Sequence, residues 1–270
     1  MSIITLTTDF GVADPFVGIM KGVILGIAPG AAMVDLTHEV PPQDIMAGAL
    51  ALEAAIEYFP HGTVHLAVVD PGVGSDRASV AIKCERFTLV GPDNGLFSLV
   101  LARHPMREAV SLTKSEYHLK PLSATFHGRD IFAPAAAHLA NGIPIEELGE
   151  LITELRGLNL PEPVAKDRVM EIHILYVDRF GNLVTDLMSE DFERWAGGID
   201  PRNLRFRVGN YSFVGLSRTY SDVLQQEPAA YFGSGRRLEI AIRDGRADER
   251  FQADRVTTAS ISLPTDAKPT

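Results

Sequence analysis

From Ile3 to Gly142 the chain alternates short apolar runs with helical patterns, and beyond Asp167 it offers mainly strand signals. This change of pattern constrains the fold most. Strands that alternate with amphipathic segments build a sheet covered by helices. Successive strands separated by Gly and Asn turns build an antiparallel barrel or sandwich. In the first half "IITLTTD", "AMVDLTH", "TVHLAVVD", "SVAIKCE" and "FTLVG" read as strands. "DPFVGIMKGVILGIAPG" reads as a helix capped by Asp14, with Pro15 in its first turn and Phe16, Met20, Val23 and Ile27 on one face. "QDIMAGALALEAAIEYF" and "RDIFAPAAAHLANG" read as further helices, the latter closed by Gly142. In the second half "VMEIHILYVD", "NLVTDLM", "LRFRVG", "YSFVG" and "LEIAIRDG" read as strands. Glu154–Asp167, with two prolines and mixed charge, reads as the boundary. The expectation is an α/β fold: an N-terminal α/β domain with a central sheet over 1–160, a smaller C-terminal antiparallel β-barrel domain over 168–256, and a loose tail at 257–270.

Composition narrows the function classes. Of 270 residues 46% are hydrophobic and 22% charged, as in a soluble globular chain with a sizeable core. The net charge of −10 repels phosphate backbones, which argues against a nucleic-acid partner. The single cysteine, Cys84, excludes an intrachain disulfide and a multi-cysteine zinc site, and its run "SVAIKCE" points to a buried strand thiol. "MSIITLTTDF" shows no signal peptide and no apolar run reaches about 18 residues, so a cytoplasmic protein without a membrane partner is expected.

Four runs end in aspartate near a turn: Asp9, Asp35, Asp70 and Asp93. Each suits a turn or cap by itself. Together they suggest an acid-lined crevice at the carboxyl ends of the strands, where open α/β sheets bind ligands. "DPGVGSDR" lacks the third glycine and the helix of a dinucleotide fingerprint. It does offer Asp70 and Arg77 a short turn apart, either as a structural ion pair or as part of a site. His127, in "TFHGRD", is the candidate for proton chemistry, with Arg129 and Asp130 beside it. His61 and His65 straddle a strand start, where i, i+4 spacing does not share a face, so a metal pair is not expected; His138 reads as a core histidine. In "VDRFGNLVTD" Asp178, Phe180 and Asn182 surround Gly181; the aromatic face and the amide could hold a flat heterocycle, or the stretch could be a plain hairpin turn. Ser234 lies between glycines in "FGSGRR", as a binding loop or an ordinary turn.

In order along the chain, "TTDFG", "DLTHEVPPQD", "YFPHGTVHLAVVDPGVGSDR", "GPDNGLFS", "TFHGRDIFAPAAAHLA", "VDRFGN" and "GSGRRLEIA" resemble the S-adenosyl-L-methionine hydroxide adenosyltransferases, kin of fluorinases and chlorinases, from about Thr8 to about Ala241. The resemblance implies that water or hydroxide attacks C5′ of S-adenosylmethionine to give adenosine and L-methionine, with no cofactor and no metal. It implies a catalytic set of Asp70, Arg77 and His127, a ribose-binding Asp9, a pocket-lining Phe126, Asp178 and Ser234 on the methionine amino group, and Asn182 on adenine. It also implies an α/β domain followed by a β-barrel domain, and a homotrimer with sites between subunits. The chain departs from the pattern at Asp186, where relatives commonly carry asparagine. Halogenating relatives have tyrosine where Asp70 stands; a carboxylate there would repel halide and favours hydrolysis.

The sulfonium leaves as a neutral thioether, so a general acid is not required and the nucleophile is the difficulty. His127 is expected to accept the proton, Arg77 to stabilise developing hydroxide and Asp70 to orient Arg77, a positioned base contributing about 10²–10⁴-fold. Three rival readings remain: a 5′-halogenase, a protein that binds S-adenosylmethionine or adenosine without turnover, and a metal-dependent hydrolase using the strand-end aspartates.

Overall fold

The computed structural model describes residues 2–264. They form two compact units, 2–158 and 159–264. In the first, strands β1 (Ile3–Thr8), β2 (Ala32–Thr37), β3 (Thr63–Val68), β4 (Ser79–Lys83), β5 (Phe87–Pro92), β6 (Glu108–Ser111) and β7 (Glu150–Leu151) make one sheet. Its order is β2-β1-β3-β5-β4-β6-β7. The four strands on the β2 side run parallel and the rest antiparallel. Every residue of β3 is buried, as a central parallel strand requires. Its alternate residues serve two cores. Val64, Leu66 and Val68 join Met20 and Ile24 of α1 (Phe16–Ile27) and Ala133–Ala137 of the fourth helix. Ala67, with Val69 just past the strand, joins Ala47 and Leu52 of α2 (Ile45–Ala55) and Val100 of α3 (Ser98–Arg103).

Two helices differ from the sequence expectation. The cap position of α1 is Pro15 without a side-chain bond, so Asp14 caps nothing. Its buried face is Val17, Met20 and Ile24, because Phe16 turns its ring to Phe10 and Phe126 instead. "RDIFAP" starts as a π-turn over Gly128–Phe132 before α4 (Ala133–Ala140). Pro134 has no N–H for the carbonyl four residues back. That carbonyl, on Asp130, accepts the Leu119 N–H at 2.8 Å, and the backbone widens there.

His65 points between Phe59 and Phe87, with Nδ1 2.8 Å from Thr5 Oγ1 and no exposure. Burial pushes its pKa down to about 4 from 6.5. Below pH 6.5 the unfolded chain therefore binds a proton that the folded chain refuses until about pH 4. Unfolding free energy should fall by about 3 kcal/mol across that window through this residue alone. Denaturant titrations at pH 6.5 and 4.5 check this: His65→Gln should reduce the pH slope by that amount, and an unaltered slope would assign it elsewhere. Cys84 is 3% exposed, its thiol donating to His104 O at 3.4 Å, and burial pushes it up to about 11. Such a thiol is inert at neutral pH.

The second unit contains β8 (Val164–Lys166), β9 (Val169–Val177), β10 (Leu183–Met188), β11 (Arg205–Val208), β12 (Tyr211–Val214), β13 (Pro228–Phe232), β14 (Arg237–Ile242) and β15 (Thr258–Ser262), with α5 (Ser189–Ala196) and α6 (Ala247–Phe251). They form an antiparallel sheet in the order β12-β11-β15-β9-β10-β14-β13, with β8 beside β9. A bridge from Leu216 to Ala230 of β13 brings it close to a closed barrel. The expected loose tail is corrected here. Thr258–Ser262 is a strand between β11 and β9, with Ala259 and Ile261 in the core. Its Thr and Ser residues alternate with Ala259 and Ile261, the pattern of a half-buried strand that a reading of the segment as polar tail passed over. Residues 265–270 of that tail lie outside the described residues.

Candidate active site

The turn after β3 places Asp70. Gly74, at φ +78°, lets the loop press against the segment before His127: a Cβ there would lie 2.6 Å from Ala124 O. Arg77 Nε donates to Asp70 Oδ1 at 2.8 Å and Nη2 to Oδ2 at 2.5 Å. Nη1 donates to Ser79 Oγ at 2.7 Å and Ala78 O at 3.3 Å, and Nη2 meets His127 Nδ1 at 2.9 Å. The guanidinium carbon stands 5.2 Å from the Phe132 ring centre. The side chains of Arg77 and Asp70 are 3% and 4% exposed. The three residues expected to act together are therefore in contact.

Their geometry revises the expected roles. A guanidinium has five N–H donors and no acceptor. All five of Arg77's are engaged within the protein, which leaves none to touch a bound group. Because Arg77 only donates, His127 Nδ1 must accept, and the neutral ring carries its proton on Nε2. Burial, then the Arg77 charge, hold His127 below its ordinary pKa of 6.5. His127 as base, the role expected for it, does not fit: taking a proton on Nδ1 would break the Arg77 bond and put two cations together. The arrangement offers a donor, Nε2–H, backed by a buried positive charge. Arg129 and Asp130 do something else. Asp130 is wholly buried, paired with Arg129 and accepting the Ser123 N–H at 2.7 Å, which shapes the loop before His127.

Of the four aspartates, Asp9 follows β1 and its Oδ2 accepts the Gln43 N–H at 2.8 Å. Phe10 beside it packs edge-on against Phe126 at 6.0 Å, joining the Asp9 loop to the His127 loop. Asp35 lies within β2, paired with Lys21, and Asp93 accepts the Arg156 N–H at 2.8 Å. The crevice reading thus reduces to Asp9 and Asp70. His61 is exposed, whereas His65 is in the core. His138 is half-buried, edge-on to Tyr117 at 5.0 Å.

In the second unit Asp178 organises the β9–β10 turn. Its Oδ1 accepts the N–H groups of Phe180 and Asn182, both at 2.8 Å, and Oδ2 accepts Asn182 Nδ2 at 2.8 Å. Gly181 is at φ +84°, and a Cβ there would meet Asp248 Oδ1 at 2.5 Å. Asn182 is buried and Phe180 is 74% exposed. Ser234 is exposed in the β13–β14 turn. One residue escaped the sequence reading. Glu239 stands in register with Tyr231 and with Val184, which is paired to Tyr176. Its Oε2 accepts the Tyr231 hydroxyl at 2.7 Å, and Oε1 packs on Gly233, where a Cβ would lie 1.9 Å away. Burial, and the nearby Asp178, raise its pKa. A lone acid in the apolar run "RLEIAI" was the available signal. Asp186, the departure noted above, is buried and bonded to His173 Nδ1 at 2.6 Å, a pairing with a strand neighbour.

Fold and side chains together define a class: an α/β unit with a buried Asp–Arg–His set at the carboxyl edge of its parallel strands, carried in one chain with an antiparallel barrel-like sheet. The chain belongs to the SAM hydroxide adenosyltransferase family, whose N-terminal domain model matches residues 4–149 and whose C-terminal domain model matches 172–258. It is 43% identical over 254 residues to the (R)-S-adenosyl-L-methionine hydrolase of Thermus thermophilus, covering 90% of this chain and 92% of the relative. It is 28% identical to the fluorinase of an Actinoplanes species, covering 88% and 90%. A solved structure of an uncharacterized conserved protein from Thermotoga maritima superposes with a TM-score of 0.89 at 33% identity, covering 97% of this chain and all of the other.

Proposed function

We propose that the protein hydrolyses S-adenosyl-L-methionine, with the (R) configuration at sulfur, to adenosine and L-methionine. The observation that carries this is the buried Asp70–Arg77–His127 chain, which leaves His127 Nε2–H as the donor for an incoming anion. Hydroxide held there forms the O–C5′ bond as the C5′–S bond breaks, and the sulfur keeps the electron pair as a neutral thioether. The sulfonium charge and the Arg77 charge both favour hydroxide over water at that point, and a fixed line of attack adds a proximity contribution. Relatives named hydrolase are 38–43% identical and those named fluorinase 25–28%, which supports oxygen over halide as nucleophile.

In this reading Asp9 receives the ribose hydroxyls and Phe126 lines the pocket. Asn182 and Phe180 hold adenine, while Asp178 and Ser234, with Glu239 beside them, take the α-ammonium. The substrate supplies its own leaving group, so no cofactor is called for. Incubation of each sulfur epimer with the protein in halide-free buffer, followed by chromatography, tests the reading: adenosine and methionine should appear in equal amounts from the (R) epimer. Tight retention without methionine release would mean a binding protein instead. Asp9→Ala should weaken adenosine binding by about 1.5–3 kcal/mol, the scale of a charge-assisted hydrogen bond. Calorimetry showing unaltered affinity would remove Asp9 from the site.

We also infer a cytoplasmic homotrimer whose sites draw on the α/β half of one subunit and the barrel half of another, as the family resemblance implies. Inactive Asp70→Ala and Asp178→Ala proteins, unfolded together and reassembled, should then regain activity, because some sites pair two intact halves. A mixture that stays inactive, with mixed oligomers seen by mass spectrometry, would refute the shared site.

A further inference from the structure

The segment after β2 carries a second ordered chain of side chains that the reaction as proposed does not use. His38 is 5% exposed. Its Nδ1 lies 2.9 Å from Thr8 Oγ1 and its Nε2 lies 3.1 Å from Asp35 Oδ1, while Asp35 Oδ2 accepts Lys21 Nζ at 2.6 Å. His38 Nε2 faces the carboxylate without making a hydrogen bond to it, so the ordered link is the one between Nδ1 and Thr8 Oγ1, an oxygen that also accepts the Phe10 N–H at 3.3 Å. Thr8 has no exposure and cannot meet a substrate. What the chain holds is the loop that follows Thr8.

Two more bonds from the same segment grip that loop. His38 O accepts the Gly11 N–H at 2.8 Å, and the Gln43 N–H reaches Asp9 Oδ2 at 2.8 Å. Gln43 sits at φ +66°, a conformation that is costly for a residue with a side chain and is kept where its N–H meets the carboxylate. Asp9 is thus fixed from the loop ahead of it and from the β2–α2 connection opposite.

We propose that His38 is a positioning residue for substrate binding, holding Asp9 toward the ribose hydroxyls through Thr8 and through its own carbonyl; this rests on the ribose role proposed for Asp9. The test measures adenosine affinity by calorimetry and steady-state KM and kcat for His38→Ala, Thr8→Val and each combined with Asp9→Ala. His38→Ala should weaken adenosine binding and raise KM about tenfold, the scale of one hydrogen bond to a charged group, with a much smaller change in kcat. Thr8→Val, close in shape, should do the same, and Thr8→Ser should restore most of the affinity. In the Asp9→Ala background the His38 and Thr8 effects should vanish. If His38→Ala does not fold, the Thr8 pair carries the same comparison. Losses that persist undiminished without Asp9, or unchanged affinity in both variants, would overturn the role of His38. Wild-type protein that bound no adenosine would overturn the proposed function itself.

Discussion

Asp70→Asn is expected to lower kcat by about 10²–10³-fold while KM changes little. The carboxylate takes both N–H groups of one edge of Arg77, Nε and Nη2, and both side chains are almost free of solvent. An amide offers one acceptor oxygen and turns an NH₂ group toward a guanidinium that cannot accept. Arg77 then leaves its place, and its bond to His127 Nδ1 goes with it. The imidazole loses both its tautomer and the positive field behind Nε2–H. Part of the cost falls on stability, because breaking a buried pair leaves a desolvated charge worth about 3–5 kcal/mol. Turnover must therefore be normalised to folded protein, from melting curves measured beside the kinetics. A kcat within threefold of wild type would reduce the pair to a structural clasp.

Removing the imidazole itself, in His127→Ala, should cost kcat about 10²-fold, the scale of one oxyanion donor. The pH profile separates the donor role from that of a base. Burial, then Arg77, lower the pKa of His127, so the ring is neutral at pH 7. As pH falls through that lowered value, Nδ1 gains a proton, the Arg77 bond breaks and activity should drop on the acid side, with its inflection below 6.5. Above the inflection the rate should rise with hydroxide concentration. The alanine variant should lose the acid limb and keep only the dependence on hydroxide. An inflection at or above 6.5, or an acid limb that survives the substitution, would rule out the donor role.

What the sequence determined by itself is local in origin. The nearly unbroken apolar run in "TVHLAVVD" calls for a strand buried on both faces, and β3 is one, feeding Leu66 to one core and Ala67 to the other. The parallel sheet, the later barrel and the loops bearing Asp70, Arg77 and His127 follow from such patterns, because periodicity of 2 or 3.6 and turn glycines act within a few residues. β15 was passed over because "TASIS" carries only two small or branched apolar residues in its alternation, and pairing with β9 and β11 is what puts them in the core. The site's roles were beyond any local rule. Arg77 and His127 are 50 positions apart, and it is the approach of Gly74 to Ala124 O that brings their loops together. Which nitrogen of His127 holds the proton depends on a donor supplied from that distance, and whether Arg77 has a hydrogen left depends on Ala78, Ser79 and Asp70 all accepting at once. A spacing in sequence can say that an arginine and a histidine belong to one site, but hydrogen bonds have direction, and only the assembled tertiary structure decides which group gives and which receives.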